Sequence, residues 1–310
     1  EGTVTAVAGV SFGVGKGEIL GIVGESGCGK SVTSLSIMGL LPSSGTLAPG
    51  SSIALEGQEL TALSEGQMCK MRGNRIAMIF QDPMTSLNPV MTIGRQMMEP
   101  LMIHQGMDRA AAARHAVSML EKVGIAAPER RMREYPHQFS GGMRQRIMIA
   151  MALSCNPALL IADEPTTALD VTIQAQVLEL IRELRDDLGT AVMLITHDMG
   201  VVAEMADRIL VMYAGKGVEY APVRRLFREP LHPYTQGLLR SIPRLDGGSE
   251  ELYTIRGQVP NQYDMPAGCR FCDRCPYAKK ICRARQPDQY QVGDKLVSCW
   301  KYEGGGEYGE

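Results

Sequence analysis

The sequence ILGIVGESGCGKS occupies residues 19–31. Its first five residues form an apolar run typical of a buried strand, and the rest fits the pattern G-x4-G-K-[ST]. Glycines in such a loop let backbone N–H groups point inward and bind phosphate at the N-terminus of the next helix. The sequence therefore predicts a strand, a phosphate-binding loop and a helix. We expect Lys30 to contact the β- and γ-phosphates and Ser31 to ligate Mg²⁺.

Other short apolar runs predict further strands. They lie at residues 10–14, 75–80, 158–162, 191–196 and 208–212. Residues 173–188 instead place apolar side chains at helical spacing. Strands that alternate with helices indicate a mostly parallel sheet covered by helices, which is an α/β fold.

Polar side chains follow several of these predicted strands. Asp163 and Glu164 come directly after residues 158–162, and adjacent residues point in different directions, so they can have different roles. We expect Asp163 to join the Mg²⁺ shell and Glu164 to act as the base that polarises the attacking water. Gln81 and His197 also follow strands, at the edge where open α/β sheets bind ligands. His197 is therefore expected to contact the γ-phosphate.

A second candidate anion site lies at residues 140–145, where a serine and two glycines precede a helix that extends to about Cys155. The N-terminus of such a helix binds anions. Since one nucleotide has a single γ-phosphate, two such sites predict that each nucleotide is bound between two subunits.

Composition limits the remaining possibilities. The chain has 310 residues, 32 basic and 34 acidic, with a net charge of -2. This balance gives no general attraction to nucleic acid or anionic lipid, and no apolar stretch reaches the ~20 residues of a spanning helix.

Residues 1–90 and 146–222 are predicted to form the core, and residues 91–145 an inserted helical subdomain. The prolines and glycines of residues 223–310 predict a loop-rich C-terminal extension.

Five of the eight cysteines lie in this extension. They are Cys269, Cys272, Cys275, Cys282 and Cys299. Their dense spacing is typical of an iron–sulfur cluster or a zinc site, in which five thiols compete for four positions. Disulfides or free thiols are the third alternative, and the lack of an export signal disfavours disulfides. Six basic residues and one acid lie at residues 269–285, a charge that would offset a four-thiolate cluster or contact lipid headgroups or nucleic acid.

Together these motifs resemble those of ATP-binding-cassette (ABC) ATPases over nearly the whole chain. Residues 24–31 resemble Walker A, residues 140–145 the signature, residues 158–164 Walker B and residues 168–170 the D-loop; Gln81 resembles the Q-loop glutamine and His197 the switch histidine. The resemblance implies catalytic roles for Glu164, His197 and Gln81, and Mg²⁺ ligation by Ser31, Gln81 and Asp163. The nucleotide contacts it implies are Gly24, Glu25, Ser26, Gly27, Cys28, Gly29, Lys30, Ser31, Val32, Ser140, Gly141, Gly142, Gln145 and Asp170.

Closer similarity is to the ATPase subunits of the peptide and nickel ABC importer family. The matching segments are residues 24–27, 80–89, 135–138, 163–176 and 231–235. The resemblance implies a P-loop NTPase core and ATP hydrolysis with Mg²⁺ that energises import of dipeptides, oligopeptides or related solutes such as nickel complexes. It also implies a [4Fe-4S] cluster on Cys269, Cys275, Cys282 and Cys299, with Zn²⁺ as the alternative metal and Cys272 left over.

The same resemblance implies partners and a location. The partners are a second cassette, identical or homologous, two membrane-spanning permease subunits and a solute-binding protein that reaches the cassette through the permease, with no nucleic acid. The location is the cytoplasmic face of the bacterial inner membrane, as a peripheral subunit. The competing interpretation is a DNA-repair or ribosome-associated ABC ATPase with a metal–cysteine module.

Overall fold

The computed structural model describes residues 4–81, 86–167, 169–242 and 253–305. The chain divides into two compact units. The first comprises Glu1–Gly13, Ile19–Thr33 and Thr196–Glu310, and the second comprises Val14–Glu18 and Ser34–Ile195. Residues 82–85 of the Gln81 segment and residue 168 of the D-loop segment lie outside the described residues.

Ten strands and eleven α-helices are present in the described residues. The strands are β1 (Ile19–Val23), β2 (Ala54–Leu55), β3 (Gln58–Glu59), β4 (Ile76–Ile79), β5 (Leu159–Asp163), β6 (Ala191–Ile195), β7 (Arg208–Tyr213), β8 (Lys216–Pro222), β9 (Tyr290–Val292) and β10 (Lys295–Val297). The helices are α1 (Lys30–Met38), α2 (Glu65–Met71), α3 (Ile93–His104), α4 (Arg109–Lys122), α5 (Pro128–Arg131), α6 (Gly141–Leu153), α7 (Val171–Leu188), α8 (Met199–Met205), α9 (Val223–Arg228), α10 (Pro233–Arg240) and α11 (Lys280–Ala284).

In the second unit, β4, β5 and β6 are parallel neighbours in that order. Every residue of β5 and β6 is buried, as expected for parallel strands covered on both faces. Their carboxyl ends therefore share one edge, and the segments that contain Gln81 and Glu164 leave from that edge. These parallel strands confirm the α/β prediction.

Helices α3, α4 and α5 occupy much of the stretch predicted to be helical. Thr92 caps α3 by accepting a hydrogen bond from the Arg95 N–H, and Asp108 caps α4 by accepting one from the Ala111 N–H. Met97 and Ala112, one on each helix, are fully buried. The division of the chain into a core and an inserted subdomain stays a prediction.

In the first unit, β1 and β7 are parallel, whereas β8, β10 and β9 continue the sheet with antiparallel pairs. Strands β7 and β8 form a hairpin whose turn, Ala214 and Gly215, has positive φ angles of 45° and 80°. Glu219 of β8 is 0% exposed and accepts the backbone N–H groups of Leu231 and His232, each at 2.9 Å. The Glu219 carboxyl group can lie in a buried strand because each of its two oxygens accepts a hydrogen bond from a backbone N–H group.

The strand predicted at residues 10–14 is wrong. Alternate residues there are half-buried, as in a strand, but the described residues form no ladder in this segment. The Gly13 carbonyl instead accepts a hydrogen bond from the Tyr220 hydroxyl at 2.9 Å. A side-chain partner has thus replaced the neighbouring strand that the pattern implied.

Within the described part of the chain, no helix combines the length and the apolar character needed to cross a lipid bilayer.

Candidate nucleotide-binding site

The phosphate-binding loop joins β1 to α1, as predicted. Gly29 has a φ of 99°, and a Cβ there would lie 3.0 Å from Val7 Cγ2 and 3.1 Å from the Ala6 carbonyl oxygen. A side chain at this position would be strained by the backbone conformation and crowded by these neighbours. The loop can thus bring its backbone N–H groups close to a bound phosphate.

The side-chain ammonium group of Lys30 lies against the backbone of this loop. Its Nζ donates to the carbonyl oxygens of Gly24 at 2.7 Å and Glu25 at 3.2 Å, and the residue is 7% exposed. An ammonium held against the loop by neutral carbonyls can transfer its hydrogen bonds to phosphate oxygens. This position suits the predicted contact with the β- and γ-phosphates.

The Cys28 thiol packs inside the loop. It is 1% exposed, its Sγ lies 3.8 Å from Lys30 Nζ, and burial raises its pKa. The Cys28 carbonyl accepts the Gly215 N–H at 2.9 Å. The side chain is therefore part of the packing, and any nucleotide contact by Cys28 has to come from its backbone.

Glu164 lies just beyond β5 with its carboxylate already oriented. Its Oε2 accepts hydrogen bonds from Gln81 Nε2 at 3.0 Å and Thr167 Oγ1 at 2.9 Å. Its φ is 48°, a left-handed value that is costly for a glutamate and typical of functional sites. The structure thus brings together Gln81 and Glu164, and it adds Thr167, which the sequence analysis missed.

Asp163, Ser31 and Gln81 are the residues predicted to hold Mg²⁺. Asp163 is the last residue of β5 and is 5% exposed, while Ser31 is exposed in the first turn of α1. Carboxylate, hydroxyl and amide oxygens are the hard ligands that Mg²⁺ prefers. The residue types therefore fit the ion, and ligation by these three residues stays a prediction.

His197 follows β6 after one intervening residue and is exposed. The next residue, Asp198, caps α8 by accepting the N–H groups of Gly200 at 2.8 Å and Val201 at 3.3 Å. This cap fixes the backbone immediately after the histidine. His197 thus lies just beyond the carboxyl end of its strand, and its contact with the γ-phosphate stays a prediction.

The signature segment begins α6. Ser140 is the N-cap of this helix, is exposed, and accepts the Met143 N–H at 3.4 Å. A Cβ on Gly142 would lie 2.8 Å from Ile173 Cγ2 in α7, and the N-cap of α7 is Asp170. The first turns of α6 and α7 are therefore packed against each other. Gln145 is only 1% exposed, so its side chain faces the interior.

The cysteines of the extension surround one cavity in the first unit. Its volume is about 520 Å³, and its lining includes Cys269, Cys272, Cys275, Cys282 and Cys299. Burial, with a further contribution from neighbouring cysteines, raises the pKa of Cys269 to about 12 and that of Cys275 to about 11. Among the residues that the structure describes, no group of three or more His, Cys, Asp or Glu side chains is arranged to hold a metal ion. Neither the predicted iron–sulfur cluster nor the alternative zinc site is therefore shown by the described residues.

Most of the six basic residues near the cysteines contact other parts of the protein. Arg270 donates to the Ala214 carbonyl, Arg274 pairs with Glu25, Arg283 pairs with Asp273 at 2.7 Å, and Arg285 lies over the Trp300 ring. The ion pairs of Arg274 and Arg283 reduce the positive charge available for lipid headgroups or nucleic acid.

Comparisons with known proteins agree with the strand, loop and carboxylate arrangement. Residues 7–167 match the family described as ABC transporter. The dimeric structure of a post-hydrolysis state of an ATP-binding cassette bound to ADP and Pi is similar with a TM-score of 0.62 and 28% identity, covering 71% of this chain and 91% of that one. The fold and site therefore define an ABC-type ATPase, an enzyme that hydrolyses ATP.

The C-terminal part gives the narrower assignment. Residues 218–282 match the oligopeptide/dipeptide transporter, C-terminal region. The oligopeptide transport ATP-binding protein AppD of Bacillus subtilis is 56% identical over 301 residues, 97% of this chain and 92% of that protein. OppD of Salmonella typhimurium is 51% identical over 301 residues, 97% of this chain and 89% of that protein. The chain belongs to the family of oligopeptide and dipeptide ABC transport ATP-binding proteins, and the DNA-repair or ribosome-associated alternative is not favoured.

Proposed function

We propose that this chain is the ATP-hydrolysing subunit of a bacterial importer for oligopeptides, dipeptides or related solutes. The observation that carries the proposal is that residues 218–282 match the C-terminal region of oligopeptide/dipeptide transporters, in addition to the ATPase match at residues 7–167. The oligopeptide and dipeptide transport proteins of Bacillus subtilis, at 56% and 54% identity, are matched over 92% and 90% of their own length. The chain would then supply energy and would not itself select the solute.

The proposed partners follow from this role. An importer of this kind needs two membrane-spanning permease subunits and a solute-binding protein, and the cassette would dock as a peripheral subunit on the cytoplasmic face of the inner membrane. A second cassette, identical or homologous, would supply the signature segment that completes each nucleotide site. The dimeric ATP-binding cassette found among similar structures supports such a pairing.

The proposed chemistry assigns each residue one task. The loop at residues 24–31 would bind the phosphates through backbone N–H groups and Lys30. Glu164, oriented by Gln81 and Thr167, would take a proton from the attacking water. When bound, Mg²⁺ would neutralise charge that develops on the phosphates. Positioning and charge neutralisation account for most of the rate increase in this class of reaction.

Purification of the intact complex tests the assignment. The tagged chain, solubilised gently from bacterial membranes, is expected to co-purify with two membrane-spanning proteins, and its ATP turnover is expected to rise when a peptide-loaded solute-binding protein is added. Co-purification with ribosomal RNA or duplex DNA, and without membrane-spanning partners, would contradict the proposal and support the alternative.

We further propose that the cysteine-lined cavity holds a [4Fe-4S] cluster. A single zinc ion needs its sulfur ligands about 2.3 Å from one centre, whereas an iron–sulfur cluster holds each thiolate on a separate iron around a larger inorganic core. A cavity of about 520 Å³ lined by cysteines suits the larger group.

Cys272 is the proposed spare among the five cysteines. Its Sγ lies 3.7 Å from Asp273 Oδ1, and burial followed by this neighbouring carboxylate raises its pKa. A negative neighbour disfavours the thiolate form that metal ligation needs. The remaining cysteines, Cys269, Cys275, Cys282 and Cys299, form the proposed ligand set.

Replacement of Cys269 by serine is expected to remove most bound iron and acid-labile sulfide from protein purified without oxygen, because a cluster with three thiolates is weakly held. Iron, sulfide and the visible absorption spectrum are the measurements. Cys69→Ser is the matched control, since Cys69 is an exposed thiol of α2. Iron and sulfide at parental levels in Cys269→Ser, or zinc in place of iron in the parent, would contradict the cluster.

A further inference from the structure

Two arginines of the cysteine-bearing segment, residues 269–275, lie near the phosphate-binding loop: Arg274 contacts the loop directly, and Arg270 contacts the adjoining β7–β8 turn. Arg274 Nη1 contacts both carboxylate oxygens of Glu25, at 3.0 and 2.9 Å. Glu25 is the second residue of the loop, and the Arg274 side chain is only 7% exposed. A part-buried ion pair thus joins the C-terminal segment directly to the start of the loop.

The guanidinium of Arg274 is fixed on its other sides as well. Its Nε donates to the Arg256 carbonyl at 3.0 Å and its Nη2 to the Ile255 carbonyl at 3.3 Å, while Nη1 also lies 3.3 Å from the Tyr213 hydroxyl. All three nitrogens therefore have partners. A planar fork held in this way defines the position of the Glu25 carboxylate more strictly than a lysine could.

A second contact holds the backbone of Glu25. Its N–H donates to the Tyr234 hydroxyl at 3.0 Å, and Tyr234 is 0% exposed. The Tyr234 ring packs against Phe271, with ring centroids 5.5 Å apart, and Phe271 lies in the same cysteine-bearing segment. Both the side chain and the backbone of Glu25 are thus held by the C-terminal part of the chain.

The other end of the loop is held through the β7–β8 turn. Arg270 donates to the carbonyl of Ala214, and the next residue, Gly215, donates its N–H to the Cys28 carbonyl at 2.9 Å. Gly215 has a φ of 80°, and a Cβ there would lie 2.8 Å from Arg270 Nη1. The turn is therefore closely packed between Arg270 and the phosphate loop, so a displacement of Arg270 would reach Cys28.

We propose that Arg270 and Arg274 are positioning residues that hold the two ends of the phosphate-binding loop, so that the cysteine-bearing segment sets the affinity of the loop for nucleotide phosphates. A loop whose N–H groups are already oriented loses less conformational freedom when phosphate binds. By linkage, bound nucleotide also stabilises residues 269–275. The proposal rests on the nucleotide site and is independent of the transported solute and of the identity of the bound metal.

Nucleotide binding to the full chain tests this proposal. Arg274→Gln and Glu25→Gln are each expected to weaken binding of a fluorescent ADP analogue by about 10-fold, the order expected when a charge-assisted hydrogen bond is lost. The double variant is expected to be no weaker than either single variant, because both remove the same ion pair. In Arg274→Gln, KM for ATP is expected to rise by a larger factor than kcat at saturating ATP falls, since the base Glu164 is untouched.

Controls separate this effect from general loss of stability. Arg225→Gln removes another arginine of the same unit. Arg225 forms solvent-exposed ion pairs with Glu229 at 3.8 Å and with Asp294 at 3.6 Å. Because such exposed pairs contribute little, this variant is expected to bind ADP with parental affinity. If Arg274→Gln does not fold, the ADP affinities of Glu25→Gln and Arg274→Lys are compared with that of the parent instead. Glu25→Gln keeps the size of a side chain that is partly exposed. Hydrogen exchange at the Cys272 amide is expected to slow when ADP binds, and this slowing is expected to be lost in Glu25→Gln.

Two results would overturn the proposal. One is parental ADP affinity in both Glu25→Gln and Arg274→Lys. The other is an effect of the double variant equal to the product of the two single effects, which would mean that Glu25 acts on the nucleotide without Arg274. Iron content and permease binding are separate measurements, so a failure of the proposed cluster or of the importer role would be recognised independently.

Discussion

Glutamine in place of Glu164 is expected to reduce ATP turnover by about 10²–10⁴-fold, the usual contribution of a positioned general base. Nucleotide affinity is expected to stay at the parental value, because the phosphate loop is unchanged. Glutamine keeps the shape of the side chain and can still bond to Gln81 and Thr167, so the variant removes mainly the proton-accepting oxygen. Phosphate release by the assembled transporter, measured together with ATP binding, checks both parts.

A matched variant distinguishes the base from a general effect of charge. Glu183→Gln removes an exposed carboxylate of α7 and is expected to leave turnover unchanged. Near-parental turnover in Glu164→Gln would exclude Glu164 from the chemical step, and another group would have to orient the water. Loss of binding together with turnover would instead indicate that the left-handed backbone at residue 164 supports the fold of the site.

Replacement of Lys30 by methionine is expected to raise the Kd for ATP by about 10- to 100-fold, because a hydrogen bond between charged groups contributes about 1.5–3 kcal/mol. Hydrolysis at saturating ATP should also fall, since the charge that grows on the γ-phosphate loses its nearest cation. Methionine is unbranched like lysine, lacks only the terminal charged atom in length, and is tolerated in buried positions. Binding of a fluorescent ATP analogue and single-turnover hydrolysis measure the two effects separately.

Lys70→Met is the corresponding control, because Lys70 is exposed in the last turn of α2. Parental affinity is expected for this variant. If Lys30→Met bound ATP as tightly as the parent, the contacts of Lys30 with the Gly24 and Glu25 carbonyls would be structural, and the phosphates would have to be held by the backbone alone.

The strands that could be predicted from sequence share one physical property. The cores of β1, β4, β5, β6 and β7 are short runs of apolar residues that are almost entirely buried, so burial alone produces the pattern. Strand β8 lacks that pattern because it contains Gly217 and the buried Glu219, whose carboxylate is satisfied by backbone N–H groups far along the chain. Residues 10–14 show the opposite case, in which an apolar alternation exists without a neighbouring strand.

The site was predictable where a local motif determines it and not where distant residues complete it. Residues 24–31 fold into a phosphate loop because their glycines and the flanking strand and helix are all local. Gln81 was expected at the same sheet edge as Glu164, but no sequence pattern predicted the hydrogen bond from Thr167. Arg274 appeared only as one of several basic residues near the cysteines, because its partner Glu25 lies 249 positions away and no short pattern connects the two.

Gly142 and Ile173 approach so closely that not even one methyl group fits between the first turns of α6 and α7. The two helix starts are therefore in direct contact. In the proposed pair of cassettes, the first turn of α6 would face the nucleotide of the opposite cassette, whereas α7 follows the chain's own Asp163 and Glu164. ATP cleavage in one cassette would then change the conformation of the other, and the two cassettes would hydrolyse ATP in a coupled way rather than independently.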